Sequence, residues 1–150
     1  MSRRLIKYAE LILPYLSFAG GALNVLFWIL YFSGLVVVSE SENGLVSEFE
    51  SAFPLADAVL GIMLLVAGTG LLKRKPYGGF FLVTAAAMAV YLGILDVTFY
   101  GRHGMYFPLT MSTLFSLFIN AFCIAGGVFG LCLGWRFWRQ GNEKSALTQR

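Results

Sequence analysis

Four long apolar segments, separated by short polar stretches, dominate the chain. They run from about Leu11 to Val38, Pro54 to Leu72, Gly79 to Tyr100 and Leu109 to Trp135. Each holds about the 20 mostly apolar residues that an α-helix needs to cross a hydrocarbon layer of about 30 Å. The segments are continuously apolar rather than alternating, which excludes the strands of a membrane β-barrel. The pattern predicts an all-α, polytopic integral membrane protein built as a four-helix transmembrane bundle.

Composition agrees with this prediction. Hydrophobic residues make up 58% of the chain, and the mean hydropathy is +0.74, outside the range of soluble globular domains. The first apolar segment is longer than the roughly 7 to 15 residues of a signal-peptide core, so we expect a retained helix. Residues 1–150 are therefore expected to form one transmembrane domain, which ends in a short mobile tail after Arg139.

Charge along the chain predicts its orientation. Basic residues flank the apolar segments at three places: Arg3, Arg4 and Lys7; Lys73, Arg74 and Lys75; and Arg136, Arg139, Lys144 and Arg150. The segment Ser39–Phe53 instead carries Glu40, Glu42, Glu48 and Glu50. Because Lys and Arg accumulate in short cytoplasmic loops, we expect both termini in the cytoplasm and a plasma (inner) membrane location. These residues lie beside lipid headgroups, so the lipid bilayer is the expected partner and the net charge of +3 requires no nucleic acid.

Polar and small residues share faces of the predicted helices. Asp57 aligns with Gly61 and Gly68, and Asp96 aligns with Gly93 and Ala89. Small residues let helices approach closely in lipid, so these faces are expected to point into the bundle. Consecutive GxxxG spacings at Gly126, Gly130 and Gly134 could seat a helix of the same chain, of another copy or of a larger membrane complex.

The two intramembrane aspartates differ in their helical context. Asp57 lies in the first turn of its segment, where the helix dipole favours a carboxylate. Asp96 lies near the C-terminal end of its segment, where the dipole disfavours an anion, so it needs a partner. The leading structural interpretation is an ion pair between Asp96 and Arg102 in the short loop Gly101–Gly104.

The functional hypothesis is an outward-facing polar pocket that binds or translocates a small solute, an ion or a proton. Ionisable groups inside a membrane are costly and mark functional sites by default. The pocket would be centred on Asp57 and Asp96. The other expected ligand-binding residues are Arg102, His103, Tyr91, Tyr100 and Tyr106, with Asn24, Ser116 and Asn120 as the deeper wall.

Two alternatives remain open. One is a membrane-embedded enzyme that acts on a lipid headgroup, with Asp57 or Asp96 as general base and His103 as acid; it predicts a lateral opening between helices. The other is a structural or accessory subunit of a larger complex, whose carboxylates would be fully ion-paired. One histidine and two carboxylates are a weak ligand set for a divalent cation, so we expect no metal site. The sequence leaves any cofactor unknown. No phosphate-binding loop or HExxH motif occurs in the sequence.

Overall fold

The chain folds as an all-helical assembly in the computed structural model, which describes residues 3–35 and 44–148. Within these residues there are five helices: α1 (Arg3–Phe32), α2 (Leu45–Glu50), α3 (Phe53–Leu72), α4 (Pro76–Arg102) and α5 (Met111–Thr148). Four candidate membrane spans, long and apolar enough to cross a bilayer, lie at Leu11–Phe32, Glu48–Leu72, Pro76–Arg102 and Met111–Gln140. The predicted all-α architecture with four such helices is confirmed.

The first helix ends before its apolar segment does, because the local backbone conformation stops it. α1 ends at Phe32 rather than at Val38, because Gly34 adopts a positive φ of 73°. The Gly34 N–H donates to Tyr31 O and the Leu35 N–H donates to Leu30 O, as in a Schellman cap. Residues 36–38, which the prediction included, lie outside the described residues.

The fourth long helix continues past the predicted boundary. α5 extends to Thr148, whereas the sequence placed its end near Trp135 and a mobile tail after Arg139. An apolar segment marks the part of a helix that suits lipid, but good helix formers such as Gln, Glu, Lys and Ala allow the helix to continue into water. The hydropathy boundary was therefore wrong as a helix boundary.

The predicted acidic loop contains a helix that the sequence analysis did not anticipate. α2 covers Leu45–Glu50, directly before α3, and is attached to the end of α4. The ring of Phe49 stacks parallel on Phe99 with centroids 3.7 Å apart, and the Tyr100 hydroxyl donates to Glu50 Oε1 at 2.9 Å. Glu40 and Glu42 from the same predicted loop lie outside the described residues.

The long helices contact one another in chain order: α1 packs on α3, α3 on α4, and α4 on α5. Each contributes to one apolar core, which consists of Leu13, Ala67, Leu71, Leu82 and Leu133, with Phe81 and Phe137 packed against it. This core lies towards the turn that carries Lys73, Arg74 and Lys75, which we call the basic end of the bundle. The opposite end, where Glu50, Asp57 and Asp96 lie, is the acidic end.

Glycines allow α5 to approach α4 closely. A Cβ atom on Gly127 would lie 2.6 Å from Val90 Cγ2, and one on Gly130 would lie 3.0 Å from the Ala86 Cβ. Gly134 likewise faces Val83 of α4, whereas Gly126 faces open space. Two of the three GxxxG glycines therefore seat a helix of the same chain. Self-association stays a prediction, and of these three positions only Gly126 is open to a partner.

Candidate functional site

Three carboxylates from three helices gather at the acidic end. Glu50 ends α2, Asp57 lies in the second turn of α3, and Asp96 lies near the end of α4. The negative charges of Glu50 and Asp57 both act on Asp96, and that of Asp57 acts on Glu50. The structure thus places Asp57 and Asp96 within reach of each other's charge and adds a third acidic side chain to them, while their predicted ligand-binding role stays a prediction.

Glu50 is the residue that sequence reasoning missed. It was interpreted as one of four acidic residues in an exposed loop, yet only 7% of its surface is exposed. The available signal was the spacing of Phe49 and Phe53, four residues apart and therefore on one helical face. Their rings pack edge to face at 4.8 Å, which continues the helical path from α2 towards α3 and places Glu50 inside.

Neutral donors satisfy two of the three carboxylates. The Trp28 indole Nε1–H donates to Asp57 Oδ2 at 2.9 Å, and the Tyr100 hydroxyl donates to Glu50 Oε1 at 2.9 Å. Asp96 differs, because its Oδ1 is buried without a hydrogen-bond partner among the described residues. A buried acceptor in this state costs about 1 to 3 kcal/mol, so Asp96 is the group that calls for an added proton or ligand.

α5 supplies the polar wall opposite Asp96. Ser116 and Asn120 are both buried, and Ser116 also interacts with the side chain of Tyr100. Gly93 lets α4 lie close to α5 beside this wall, since a Cβ atom there would be 2.8 Å from Ile124 Cγ1 and 3.2 Å from the Cys123 Cβ. Cys123, one turn further along α5, is still within reach of the charges of Asp57 and Asp96. Ser116 and Asn120 are thus buried on the α5 side of the carboxylates, and their predicted role as the deeper wall of a pocket stays a prediction.

Tyr106 connects this wall to the segment between α4 and α5. Its hydroxyl accepts a hydrogen bond from Asn120 Nδ2 at 3.1 Å. Burial raises the pKa of the Tyr106 phenol above its ordinary value, the Asn120 hydrogen bond opposes this shift, and the negative charge of Asp96 adds to it. The phenol is therefore neutral at ordinary pH, and its own O–H remains a proton donor beside the carboxylates.

The predicted ion pair between Asp96 and Arg102 is wrong. Arg102 is exposed and forms no ion pair with the described side chains. α4 continues through Arg102, so the two residues are separated by six positions of one continuous helix. At about 100° per residue they point roughly 120° apart, on different faces. Arg102 is the last residue of α4, so the loop that would have let it fold back towards Asp96 begins only after it.

Two further predicted site residues, His103 and Tyr91, lie away from the carboxylates, whereas Asn24 lies about one turn of α3 from Asp57. His103 is exposed, and its Nδ1–H donates to Phe99 O at 2.8 Å. Tyr91 is 63% exposed on the outside of α4. Asn24 contacts α3, because a Cβ atom on Gly61 would lie 3.3 Å from Asn24 Oδ1. Its role in the deeper wall of a pocket stays a prediction. These positions depend on the rotation of each helix, which hydropathy does not specify.

An open groove borders the acidic end between α1 and α3. It has a volume of about 640 Å³ and is lined by Asn24, Val25, Trp28, Ile29, Phe32, Ser33, Pro54 and Ala58. Trp28 forms part of its wall and donates a hydrogen bond to Asp57, so the groove lies beside this carboxylate, on the side of the bundle. Among the described residues, no group of three or more His, Cys, Asp or Glu is arranged to hold a metal ion.

No protein-family model, curated protein or solved structure matches this chain. Its function is therefore inferred from the chemistry of the site itself.

Proposed function

We propose that this chain is an integral membrane protein that binds, or carries across the bilayer, a proton or small cation at its acidic end. Both termini lie in the cytoplasm in this proposal, so the acidic end faces outward and the basic end faces the cytoplasm. Support comes from the four long apolar helices and from the grouping of Lys73, Arg74 and Lys75 at the end opposite the carboxylates. The membrane would be the plasma (inner) membrane.

The observation that carries the proposal is the unpartnered Oδ1 of Asp96 between two other acidic side chains. Among the described side chains, no Lys, Arg or His forms an ion pair with Glu50, Asp57 or Asp96. Like charges repel strongly where the effective dielectric constant is low, so a fully ionised cluster is unfavourable. Such a cluster reaches a stable state by taking up a proton or a cation.

Neighbouring groups suit the same chemistry. Tyr100 and Tyr106 carry hydroxyls that donate and accept hydrogen bonds, and both lie within reach of the Asp96 charge. Asn120 holds Tyr106 in place and is itself almost fully buried. A proton or a small cation entering from the acidic end would meet these neutral oxygens next to the carboxylates.

The test uses two neutralising substitutions and one matched control. We expect Asp96→Asn and Glu50→Gln to lower ion binding or flux by at least about tenfold, because each removes a charged ligand worth about 1.5 to 3 kcal/mol. Glu48→Gln removes an exposed acid from the same short helix and should leave the activity unchanged. The full chain would be reconstituted in vesicles, with proton flux followed by a pH-sensitive dye and sodium and methylammonium uptake by radiolabel.

Correct folding would be checked by helical circular dichroism and a single elution peak in detergent. The proposal fails if none of the three ions is bound or carried by the folded wild-type protein. It also fails if the folded Asp96→Asn and Glu50→Gln proteins behave like Glu48→Gln.

A membrane-embedded enzyme that acts on a lipid headgroup is the second candidate. The groove between α1 and α3 favours it, because a lipid lying there would be adjacent to Trp28 and so to Asp57. The general acid expected from the sequence, His103, is bonded to Phe99 O on the outside of α4 and does not support this mechanism. An accessory subunit remains the third alternative, although ion pairs to its carboxylates are lacking among the described side chains.

A further inference from the structure

A second groove lies between α2 and α4, on the exposed side of the bundle. Its volume is about 460 Å³, and it is lined by Phe49, Leu95, Thr98, Phe99, Arg102 and His103. The apolar side chains form its lower part, and Arg102 and His103 lie at the end nearest the termination of α4. The groove thus combines an apolar surface with one permanent positive charge.

Aromatic packing fixes the shape of this groove. Phe99 is stacked on Phe49 with an interplanar angle of 1°, and its centroid lies 4.5 Å from that of the His103 ring. The His103 Nδ1–H is occupied by Phe99 O, so Nε2 is the nitrogen that remains free. These contacts hold the Phe49, Phe99 and His103 side chains in place at the wall of the groove.

Arg102 lies at the end of a candidate membrane span. The span ends at Arg102, so a membrane-crossing α4 puts this guanidinium at the level of the lipid headgroups. Leu95 lies seven residues earlier, about 10 Å deeper along the helix axis. Arg102 makes no ion pair with a described side chain, so its charge is available to a ligand.

We infer that this groove binds one anionic phospholipid, with the phosphate on Arg102 and the upper part of an acyl chain along Leu95 and Phe49. A guanidinium matches a phosphate through two parallel N–H···O bonds, and an interfacial cation attracts anionic lipid. Charge complementarity and the change from polar to apolar lining along the groove both fit this occupant. The site requires only that α4 spans the membrane and is independent of the proposed ion site.

The first test removes the charge. The full-length protein in detergent would be titrated with phosphatidylglycerol, and bound lipid would be counted by native mass spectrometry. We expect Arg102→Gln to weaken binding at least about tenfold, because the charge-assisted hydrogen bonds to the phosphate are lost. Lys75→Gln, which removes an exposed cation at the basic end, is the matched control and should bind like the wild type.

The second test fills the groove and leaves its charge in place. Leu95→Trp puts a large ring into the apolar part and should also weaken phosphatidylglycerol binding about tenfold, since the acyl chain is displaced. Val97→Trp makes the same change at an exposed position of α4 that does not line the groove, and it should have no effect. Glycerol phosphate, which has the phosphate without the chains, should not compete.

Several results would overturn the assignment. They are unchanged phosphatidylglycerol binding in Arg102→Gln and Leu95→Trp, an equal loss in Lys75→Gln, or full competition by glycerol phosphate. Equally tight, Arg102-independent retention of phosphatidylcholine with the same chains would also exclude an anionic lipid site. Arg102 is exposed and outside the apolar core, so its substitution tests binding rather than folding.

Discussion

Individual side chains at the acidic end show how a bundle can keep carboxylates without opposite charges. Tyr100 and Trp28 each donate one hydrogen bond, to Glu50 and Asp57 respectively. A neutral donor stabilises an anion but leaves its charge in place. The acidic end therefore retains its attraction for a proton or cation, which an ion pair with Arg102 would have cancelled.

The Tyr100 hydroxyl is expected to stabilise the fold measurably. Tyr100→Phe removes the donor to buried Glu50 and should lower the free energy of unfolding by about 1 to 3 kcal/mol. Tyr91→Phe makes the identical change at an exposed position and should have little effect. Denaturant titration of both variants in the same detergent checks this. Equal stability of the two variants would show that the Glu50 hydrogen bond contributes nothing.

The sequence identified some site residues and misplaced others for a common reason. The inward positions of Asp57, Asp96, Ser116 and Asn120 could be predicted because a polar group on a small-residue face has only the bundle interior to occupy. Arg102 and Glu50 were misjudged because each lies at the end of a helix whose extent was unknown. The side chain of such a residue points in one direction if the residue is in the last turn of a helix and in another if it is in a loop.

At the scale of elements, different kinds of contact hold α2 on α4 and α4 on α5. α2 is only six residues long and depends on its contacts with α4, through the Phe49–Phe99 stack and the Glu50–Tyr100 hydrogen bond. A helix this short is not stable alone in water. The α4–α5 contact instead depends on glycines that face Ala86, Val90 and Val83.

The adjacent glycines Gly126 and Gly127 provide a matched test of that contact. Gly127→Ala would put a Cβ atom 2.6 Å from Val90 Cγ2 and 2.8 Å from Ala86 O. We expect this overpacking to destabilise the protein by about 1 to 3 kcal/mol. Gly126→Ala faces open space and should be neutral or slightly stabilising, because Ala favours helix more than Gly does.

Thermal unfolding of the two variants in detergent measures the difference. If Gly127→Ala were as stable as Gly126→Ala, α5 would not pack on α4 through this face. The GxxxG glycines would then again be candidates for contact with another copy of the chain.

The whole molecule is polarised along its long axis. An apolar core that draws on all four long helices lies near the basic end, whereas the three carboxylates lie near the acidic end. The aliphatic core and the carboxylates therefore occupy different ends of the bundle. Large side chains are also buried at the acidic end, among them Trp28, Phe53 and Tyr100.

Orientation can be tested directly on the intact cell. In a Cys123→Ala, Cys132→Ala background, we expect Ser51→Cys to react with a membrane-impermeant maleimide added outside. Arg74→Cys should react only after the membrane is permeabilised, because it lies at the opposite, basic end. Both positions are exposed, so differences in labelling report the side of the membrane. The reverse pattern would invert the proposed topology.

The sequence by itself determined the number of long apolar helices, their order and the separation of charge between their ends. Each of these features follows from the total hydropathy or charge of consecutive residues. That total is the same whether a side chain contacts lipid or another helix. The tertiary structure decided which side chains meet. The docking of α2 brought Glu50 to Asp96, and the rotation of α4 moved Arg102 and His103 away from it. Such contacts depend on helix ends and on rotation about the helix axis, which follow from the packing of all the helices together.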